Sequence, residues 1–365
     1  VKMAAERLRE RKEYIVASAA GVIPEERDEP TLREALSGPR AAQWKKAIEE
    51  EMGKMIEMGV VEEATNTNGK TPIDTKLILK AKRDSAGEIK LLKARLVAKG
   101  YNQVFGRDFD DTFAPVCRSS TVRVALAWAA MNGYKAFQAD VKSAYLNAPL
   151  KEELYIRIPS IEENEGSKTY RLRKALYGLK QSGHEWHKTL KAALGSKGWQ
   201  STLSEACVFV RERNNHTQLM TVYVDDLLVL AKDEEEYAEI IKELREHFEV
   251  SELGEVRDLL GMNIIRKDNL FLIDQSGLIR RALDNFKHSI PIVIAATPIA
   301  GRTEPYEGKA KPEEIRLYQQ CIGTLNHIAQ WTRPDIAAAV SIAAQHTANP
   351  GPQDFKALGR ILGYL

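Results

Sequence analysis

Apolar positions recur along this chain in two periods, and the period switches several times. Between residues 41 and 58, Trp44, Ala47, Ile48, Met52, Met55 and Ile56 return at helical spacing, which predicts an amphipathic helix stopped by Gly59. Between residues 71 and 100 the pattern shortens. The run KLILKAKRDSAGEIKLLKARLVAKG reads as a strand, a turn at 84–87 and a second strand. Residues 119–131 return to a helical Ala/Leu/Val/Trp face, with Ser119 or Ser120 as the cap and Asn132 and Gly133 at the end. A short strand follows at 136–141, a hairpin-like stretch at 154–158, and a helix from beyond Gly178 to Lys197, ended by Gly198. Residues 219–224 and 227–230 are apolar runs separated only by Asp225 and Asp226. Residues 233–250 predict an acidic amphipathic helix with Tyr237, Ile240, Ile241, Leu244 and Phe248 on one face. A hairpin at 259–273 and several helices complete the chain. Strands and helices alternate irregularly, so the expected class is α+β rather than a doubly wound sheet.

Composition narrows the function classes. The 365 residues are 44% hydrophobic and 28% charged, enough for a folded core and for two or three structural units. Fifty-three basic against 51 acidic residues leave a net charge of only +2, which excludes a uniformly basic coat but not a local basic channel. Such a channel is visible: residues 70–107 hold ten basic and three acidic side chains, and residues 233–255 are strongly acidic. Cys117, Cys207 and Cys321 lie far apart and form no Cys-x-x-Cys, so a disulfide framework or structural zinc is not expected and the thiols read as inert. No apolar stretch reaches the length of a membrane span, and no membrane partner is expected. The charged start has three prolines before residue 40 and no signal-peptide character, and both ends read as cut from a longer polyprotein.

The chemistry concentrates in two segments. In LMTVYVDDLLVLAKD, adjacent acids stand at or beside a hairpin tip. Asp is a good turn former, so this pair alone needs no function. Adjacent strand residues face opposite sides, so one of the two should be a direct ligand and the other a support. In KAFQADVKSAYLNAPL, Asp140 ends or interrupts an apolar strand, a costly place for a carboxylate unless it is paired or binds a cation. If Asp140 and Asp225 lay on neighbouring strands they would form an anionic, oxygen-rich site of the kind Mg²⁺ prefers. Two such ions about 3.5–4 Å apart can activate a 3′-hydroxyl and stabilise a leaving pyrophosphate. His184 and His187 in HEWH lack zincin spacing and a third ligand, and there is no Walker loop.

The segments FQADVKSAYLN, YVDD and HFEVSELGEVRDLLGMNI resemble the reverse transcriptase domain of copia-type LTR retrotransposons. KARLVAKGYNQVFGRDFDDTFAPVCRSSTVRVALAWAA, YRLRKALYGLKQSGHEW, the ATPI segment near Thr297 and TRPDIAAAV extend the likeness in order, from about Trp44 to Leu365. The resemblance implies a right-hand polymerase of palm, fingers and thumb, with an antiparallel palm sheet packed on helices. Residues 1–40 would be a charged lead-in and 41–262 the interleaved fingers and palm. Residues 263–365 would be the thumb and the start of the connection towards an RNase H domain missing from this chain. It implies an RNA-directed DNA polymerase, a nucleotidyltransferase, with a catalytically inactive or domesticated nucleic-acid-binding relative as the alternative. Asp140, Asp225 and Asp226 would be catalytic. With the carbonyl of Val141 they would hold two Mg²⁺, or Mn²⁺ in their place. Lys93, Arg95, Tyr145 and Gln181 would receive the dNTP, Tyr145 closing on the sugar so as to exclude a 2′-hydroxyl. Gly178, Lys180, Tyr223, Gly261 and Met262 would meet template or primer. Expected partners are an RNA template, a DNA primer and product, dNTPs, a second copy of the chain and other polyprotein-derived proteins of a virus-like particle. The expected compartment is the cytoplasm, within that particle, with a nuclear stage later in the cycle.

Overall fold

The computed structural model describes residues 27–83, 88–161, 166–213, 215–301 and 304–365. In chain order the helices are α1 (Leu32–Ser37), α2 (Ala41–Glu57), α3 (Ser119–Met131), α4 (Ser182–Ser196), α5 (Glu234–Arg245), α6 (Ser276–Phe286), α7 (Pro312–Trp331), α8 (Ala337–Ala344) and α9 (Pro352–Tyr364). The strands are β1 (Val61–Glu63), β2 (Ile73–Arg83), β3 (Ile89–Ala98), β4 (Lys135–Val141), β5 (Pro149–Ile158), β6 (Lys168–Lys174) and β7 (Gln200–Ser201). They continue with β8 (Val208–Arg213), β9 (His216–Tyr223), β10 (Asp226–Ala231), β11 (Val250–Glu255), β12 (Asp258–Leu259), β13 (Met262–Lys267) and β14 (Leu270–Asp274). The α+β class expected from the irregular alternation is the class observed. The chain divides into two compact units, each assembled from two stretches of sequence: residues up to Ala114 with Ser143–Thr189, and Pro115–Lys142 with Leu190–Leu365.

The first unit is built on a five-stranded sheet in the order β1-β6-β5-β2-β3. The β2–β3 ribbon pairs antiparallel from Thr75↔Ala98 to Arg83↔Ile89, and the turn expected at 84–87 lies outside the described residues. Helix α2 lays Trp44, Ala47 and Ile48 over Leu79, Ala81 and Ala94, as its helical apolar stripe requires. Two-residue alternation leaves Lys76, Lys80, Lys82 and Lys93 exposed on the ribbon while Leu79, Ala81, Ala94 and Leu96 are buried. Of the charged lead-in, α1 is the described helix, capped by reciprocal bonds between Thr31 and Glu34.

The second unit is built on a six-stranded antiparallel sheet in the order β11-β4-β10-β9-β8-β7. One face carries α3, whose Val122, Ala125, Leu126 and Ala129 pack with Ala136, Leu228 and Leu230, and with Leu259, Met262 and Ile264 of the β12–β13–β14 sheet. On α5, Tyr237 stacks on Phe137 with ring centroids 4.5 Å apart and donates from its hydroxyl to the Gln138 carbonyl at 2.7 Å. A separate core joins α6, α7, α8 and α9 through Phe286, Tyr318, Leu325, Val340 and Ile361.

Two expectations are revised. Neither Ser119 nor Ser120 caps α3. Arg118 occupies that position without a side-chain bond, and both serines fall in the first turn. Helix α4 starts at Ser182, beyond Gly178 as expected; Gly178 sits at φ +89° and the Ser182 hydroxyl bonds back to Leu176 O at 2.6 Å. Helix α5 ends at Arg245. Phe248 is buried from the following turn, and Val250 opens β11. Strands β12, β13 and β14 form a small sheet whose Leu259, Met262 and Ile264 share the core of α3 and β4.

Candidate active site

The second unit carries the acids. β4 and β10 pair antiparallel with Asp140 opposite Asp226, and Ala139, Gln138 and Phe137 opposite the residues that follow. Opposed residues share a face, and every second residue returns to it. Asp140, Gln138 and Ala136 therefore lie on one side together with Asp226, Leu228 and Leu230. The cross-strand bond from Gln138 Nε2 to Asp226 Oδ1, 3.4 Å, agrees with this register. Asp225 stands one residue outside the ladder, in the two-residue turn between Tyr223 and Asp226. Its carbonyl accepts from the Val141 amide at 2.9 Å, which ties the turn to the end of β4 beside Asp140. The first turn residue, Val224, has φ +60°, a conformation that β-branched side chains avoid. The tip thus holds backbone strain.

Asp140, Asp225 and Asp226 are all half-buried. Burial pushes the Asp226 carboxyl above its ordinary range; Asp225 and Asp140 add to the shift and the Gln138 bond opposes it. Negative charge is therefore concentrated at this end of the sheet, and nearby Lys142 is engaged with Glu249. Among the described residues no group of three His, Cys, Asp or Glu side chains is arranged to hold a metal by itself. The donors do fit a hard cation that takes one or two carboxylates and completes its shell with water and substrate phosphate. The uncompensated charge on Asp226 is what such a cation would neutralise.

Of the other expected residues of this unit, Tyr223 lies on the same sheet and Gly261 and Met262 lie at the β12–β13 turn of the three-stranded sheet. Tyr223 pairs with Asp226 and is half-buried. Leu260 and Gly261, at φ +52° and +80°, form the tight turn between β12 and β13. Gly261 is exposed at that tip, while Met262 is fully buried and offers only backbone.

The first unit carries cations and rings. Lys93 is exposed on β3 directly opposite Lys80, whose Nζ pairs with Glu29 at 3.0 Å. Arg95 lies 4.8 Å from the ring centroid of Tyr177, and Tyr177 is 5.2 Å from Tyr145. Lys180 is exposed, lies 4.8 Å from the Phe109 ring, and its amide donates to Gln103 Oε1 at 2.8 Å. Gln181 is 1% exposed. Its amide accepts from Gln103 at 2.9 Å and donates to Asp108 O at 2.8 Å, so it ties loops together in the interior. Gly178 lies against β3: a β-carbon there would lie 2.2 Å from Ala98 O, and one on Gly100 would lie 2.0 Å from Gly178 O.

Sequence reasoning passed over Tyr177, Gly100, Gln103 and Gln138. Gln138 could have been found from its place two residues before Asp140 on the same strand face; the others depend on contacts between distant loops. Glu51 was also missed. From α2 its Oε1 accepts the Leu96 amide at 3.2 Å on the sheet's edge strand. Burial raises its pKa above the usual 4.5, and the Leu96 bond with Arg95, Lys54 and Lys93 opposes the shift. Folding therefore favours the protonated form: this contribution to stability is present below about pH 4.5 and is lost as pH rises through the raised value. Glu51→Gln retains an oxygen for Leu96, so it is expected to be more stable than the parent at neutral pH. The difference should fade towards pH 4 in urea titrations.

The three cysteines are buried, and burial pushes each thiol up to about 12, as suits inert core residues. Among the described residues no helix is long and apolar enough to cross a membrane.

Comparison with known proteins adds to this geometry. A family model described as "Reverse transcriptase (RNA-dependent DNA polymerase)" matches residues 59–299. The retrovirus-related Pol polyprotein from transposon TNT 1-94 of Nicotiana tabacum is 34% identical over 94% of this chain and 27% of its own length. That from transposon RE2 of Arabidopsis thaliana is 33% identical over 81% of the chain and 20% of its own length. The transposon Ty1-H Gag-Pol polyprotein of Saccharomyces cerevisiae is 29% identical over 78% and 16%. The chain thus spans about a quarter or less of these relatives. A solved foamy viral protease-reverse transcriptase in complex with double-stranded DNA aligns with 88% of this chain and 48% of its own, at 14% identity and a TM-score of 0.45.

Proposed function

This chain belongs to the reverse transcriptase (RNA-dependent DNA polymerase) family, in its copia-type branch, and from that premise we propose that it copies RNA or DNA into DNA, joining dNTPs to a primer 3′-hydroxyl. The observation that supports this best is the in-register pair Asp140↔Asp226 with Asp225 one residue away at a strained tip. Asp140, Asp225 and Asp226, with the Val141 carbonyl, would hold Mg²⁺, two ions in this reading, with Mn²⁺ as a substitute. Bound there, the metal would make the 3′-hydroxyl more acidic and offset charge on the departing pyrophosphate.

The chain's own groups supply the rest. Gln138 orients the Asp226 carboxylate. The Val141–Asp225 backbone bond fixes the tip against β4, so the two segments present their acids together. On the first unit, Lys93 and Arg95 take the triphosphate electrostatically, and Arg95 can grip two oxygens at once. Tyr145 excludes the 2′-hydroxyl. RNA template, DNA primer and a cytoplasmic particle as the setting follow from the same reading.

The test is extension of oligo-dT on an oligo-rA template with dTTP and Mg²⁺ or Mn²⁺. The expected result is template-dependent addition that stops on chelation. Binding of the primer–template without extension in either metal would sink the proposal and leave the alternative, a nucleic-acid-binding module. Tyr145→Ala is expected to raise the ratio of ribonucleotide to deoxyribonucleotide incorporation by at least about tenfold. An unchanged ratio in competition assays would remove Tyr145 from the sugar site.

A further inference from the structure

We propose that Tyr177 is a positioning residue for the incoming nucleotide, its ring coupling the arginine offered to the triphosphate, Arg95, to the ring offered to the sugar, Tyr145. The inference deepens the polymerase reading and rests on it. Its observations all lie within the first unit. The Arg95 guanidinium carbon is 4.8 Å from the Tyr177 ring centroid, inside cation–π range. The Tyr145 and Tyr177 centroids are 5.2 Å apart with their planes at 60°, an ordinary attractive geometry for two rings. All three residues are half-buried.

The three side chains rise from separate segments, and backbone bonds hold those segments together. The Tyr177 carbonyl accepts from the Ala98 amide at 2.8 Å, three residues beyond Arg95 on the same strand. The Ala148 carbonyl accepts from the Ala175 amide at 2.8 Å, and Ala148 itself donates to Tyr145 O at 3.0 Å. Gly178 follows at φ +89°, pressed against Ala98 and Gly100 with no room for a side chain. Tyr177's backbone is thus fixed independently of its ring, and removing the ring leaves the lock intact.

Arg95 gains from this arrangement in a particular way. A ring face holds a guanidinium by its quadrupole without neutralising it and without consuming its N–H fork. Glu51, the nearby acid that attracts Arg95, accepts its hydrogen bond from Leu96 and is disfavoured as an anion by burial. Arg95 therefore stays oriented and still charged for phosphate. The same ring limits how far Tyr145 can tilt. Loss of the ring should loosen both the hold on the triphosphate and the exclusion of the 2′-hydroxyl, although Tyr177 itself is not assigned a contact with the reacting atoms.

The experiment compares the parent chain with Tyr177→Leu and Tyr177→Phe by steady-state extension on oligo-rA/oligo-dT, with thermal melts as a control for folding. Tyr177→Leu is expected to raise the KM for dTTP about tenfold while kcat changes less than about threefold, and to raise ribonucleotide incorporation severalfold. Tyr177→Phe should restore both values to within about threefold of the parent. Binding of dTTP to the chain on a dideoxy-terminated primer–template reads the same loss without turnover. A Tyr177→Leu chain with parent-like KM, dTTP binding and sugar selectivity would show that the ring only packs, and the coupling would be rejected. So would equal damage from Phe and Leu, since the ring would then not be the agent. A parent that neither extends a primer nor binds dTTP overturns the polymerase reading itself, a failure separable from the first two.

Discussion

Asp225→Asn is expected to lower template-directed extension on the order of 10³-fold or more, about 4 kcal/mol of barrier. Asn keeps the shape and turn propensity of Asp, and the main-chain bond from Val141 to the residue 225 carbonyl does not involve the side chain. The hairpin should therefore persist and primer–template binding should change little. What disappears is one anionic oxygen donor beside Asp140 and Asp226. A hard divalent cation depends on that charge. Single-turnover extension together with primer–template binding separates the two effects. Extension within tenfold of the parent would remove Asp225 from the chemistry. Asp226→Asn provides a contrast. It deletes a charge disfavoured by burial, Asp225 and Asp140, so in chelator the variant should melt at a higher temperature than the parent even as its activity falls.

Gly178→Ala is expected to destabilise the first unit by about 3–5 kcal/mol, a large share of what a domain has. The new methyl would meet Ala98 O at 2.2 Å and Val97 Cγ1 at 2.6 Å, on a backbone at φ +89°. The first obstacle cannot swing away, because Ala98 O is main chain of β3, which is paired along its length with β2. Gly100→Ala should do the same, since its methyl would lie 2.0 Å from Gly178 O. Gly133→Ala is the control: φ is +73° there, but nothing lies within 4 Å, so only the conformational cost of about 1 kcal/mol applies. Urea unfolding of the three variants checks this ordering. Similar midpoints for all three would mean that the two loops do not depend on close contact.

Much of the fold was legible because its elements bury one face. The stripe of Trp44, Ala47 and Ile48 gave α2, and the paired runs around Asp225 and Asp226 gave the β9–β10 hairpin. Misplaced boundaries share a cause: local sequence does not record what a terminus meets. Ser119 and Ser120 have good capping chemistry, yet the backbone enters α3 one residue earlier. Phe248 fits the α5 stripe, but it is buried from a turn. Gln181 has the polarity of a ligand contact and lies in a buried bond network with Gln103 and Asp108.

The sequence by itself determined the α+β class and the ordered motif series that identifies the family, and it singled out Asp140, Asp225 and Asp226 as candidates. Periodicity and adjacency are local properties, carried by each segment whatever it later packs against. Only the tertiary structure decided that Asp140 faces Asp226 in register, that Gly178 has no room for a side chain beside Gly100 and Ala98, and that Tyr177 stands between Arg95 and Tyr145. Those facts depend on strand register and on loops meeting across about eighty residues of chain. A one-residue slip would reverse every facing, and nothing within a single segment forbids it.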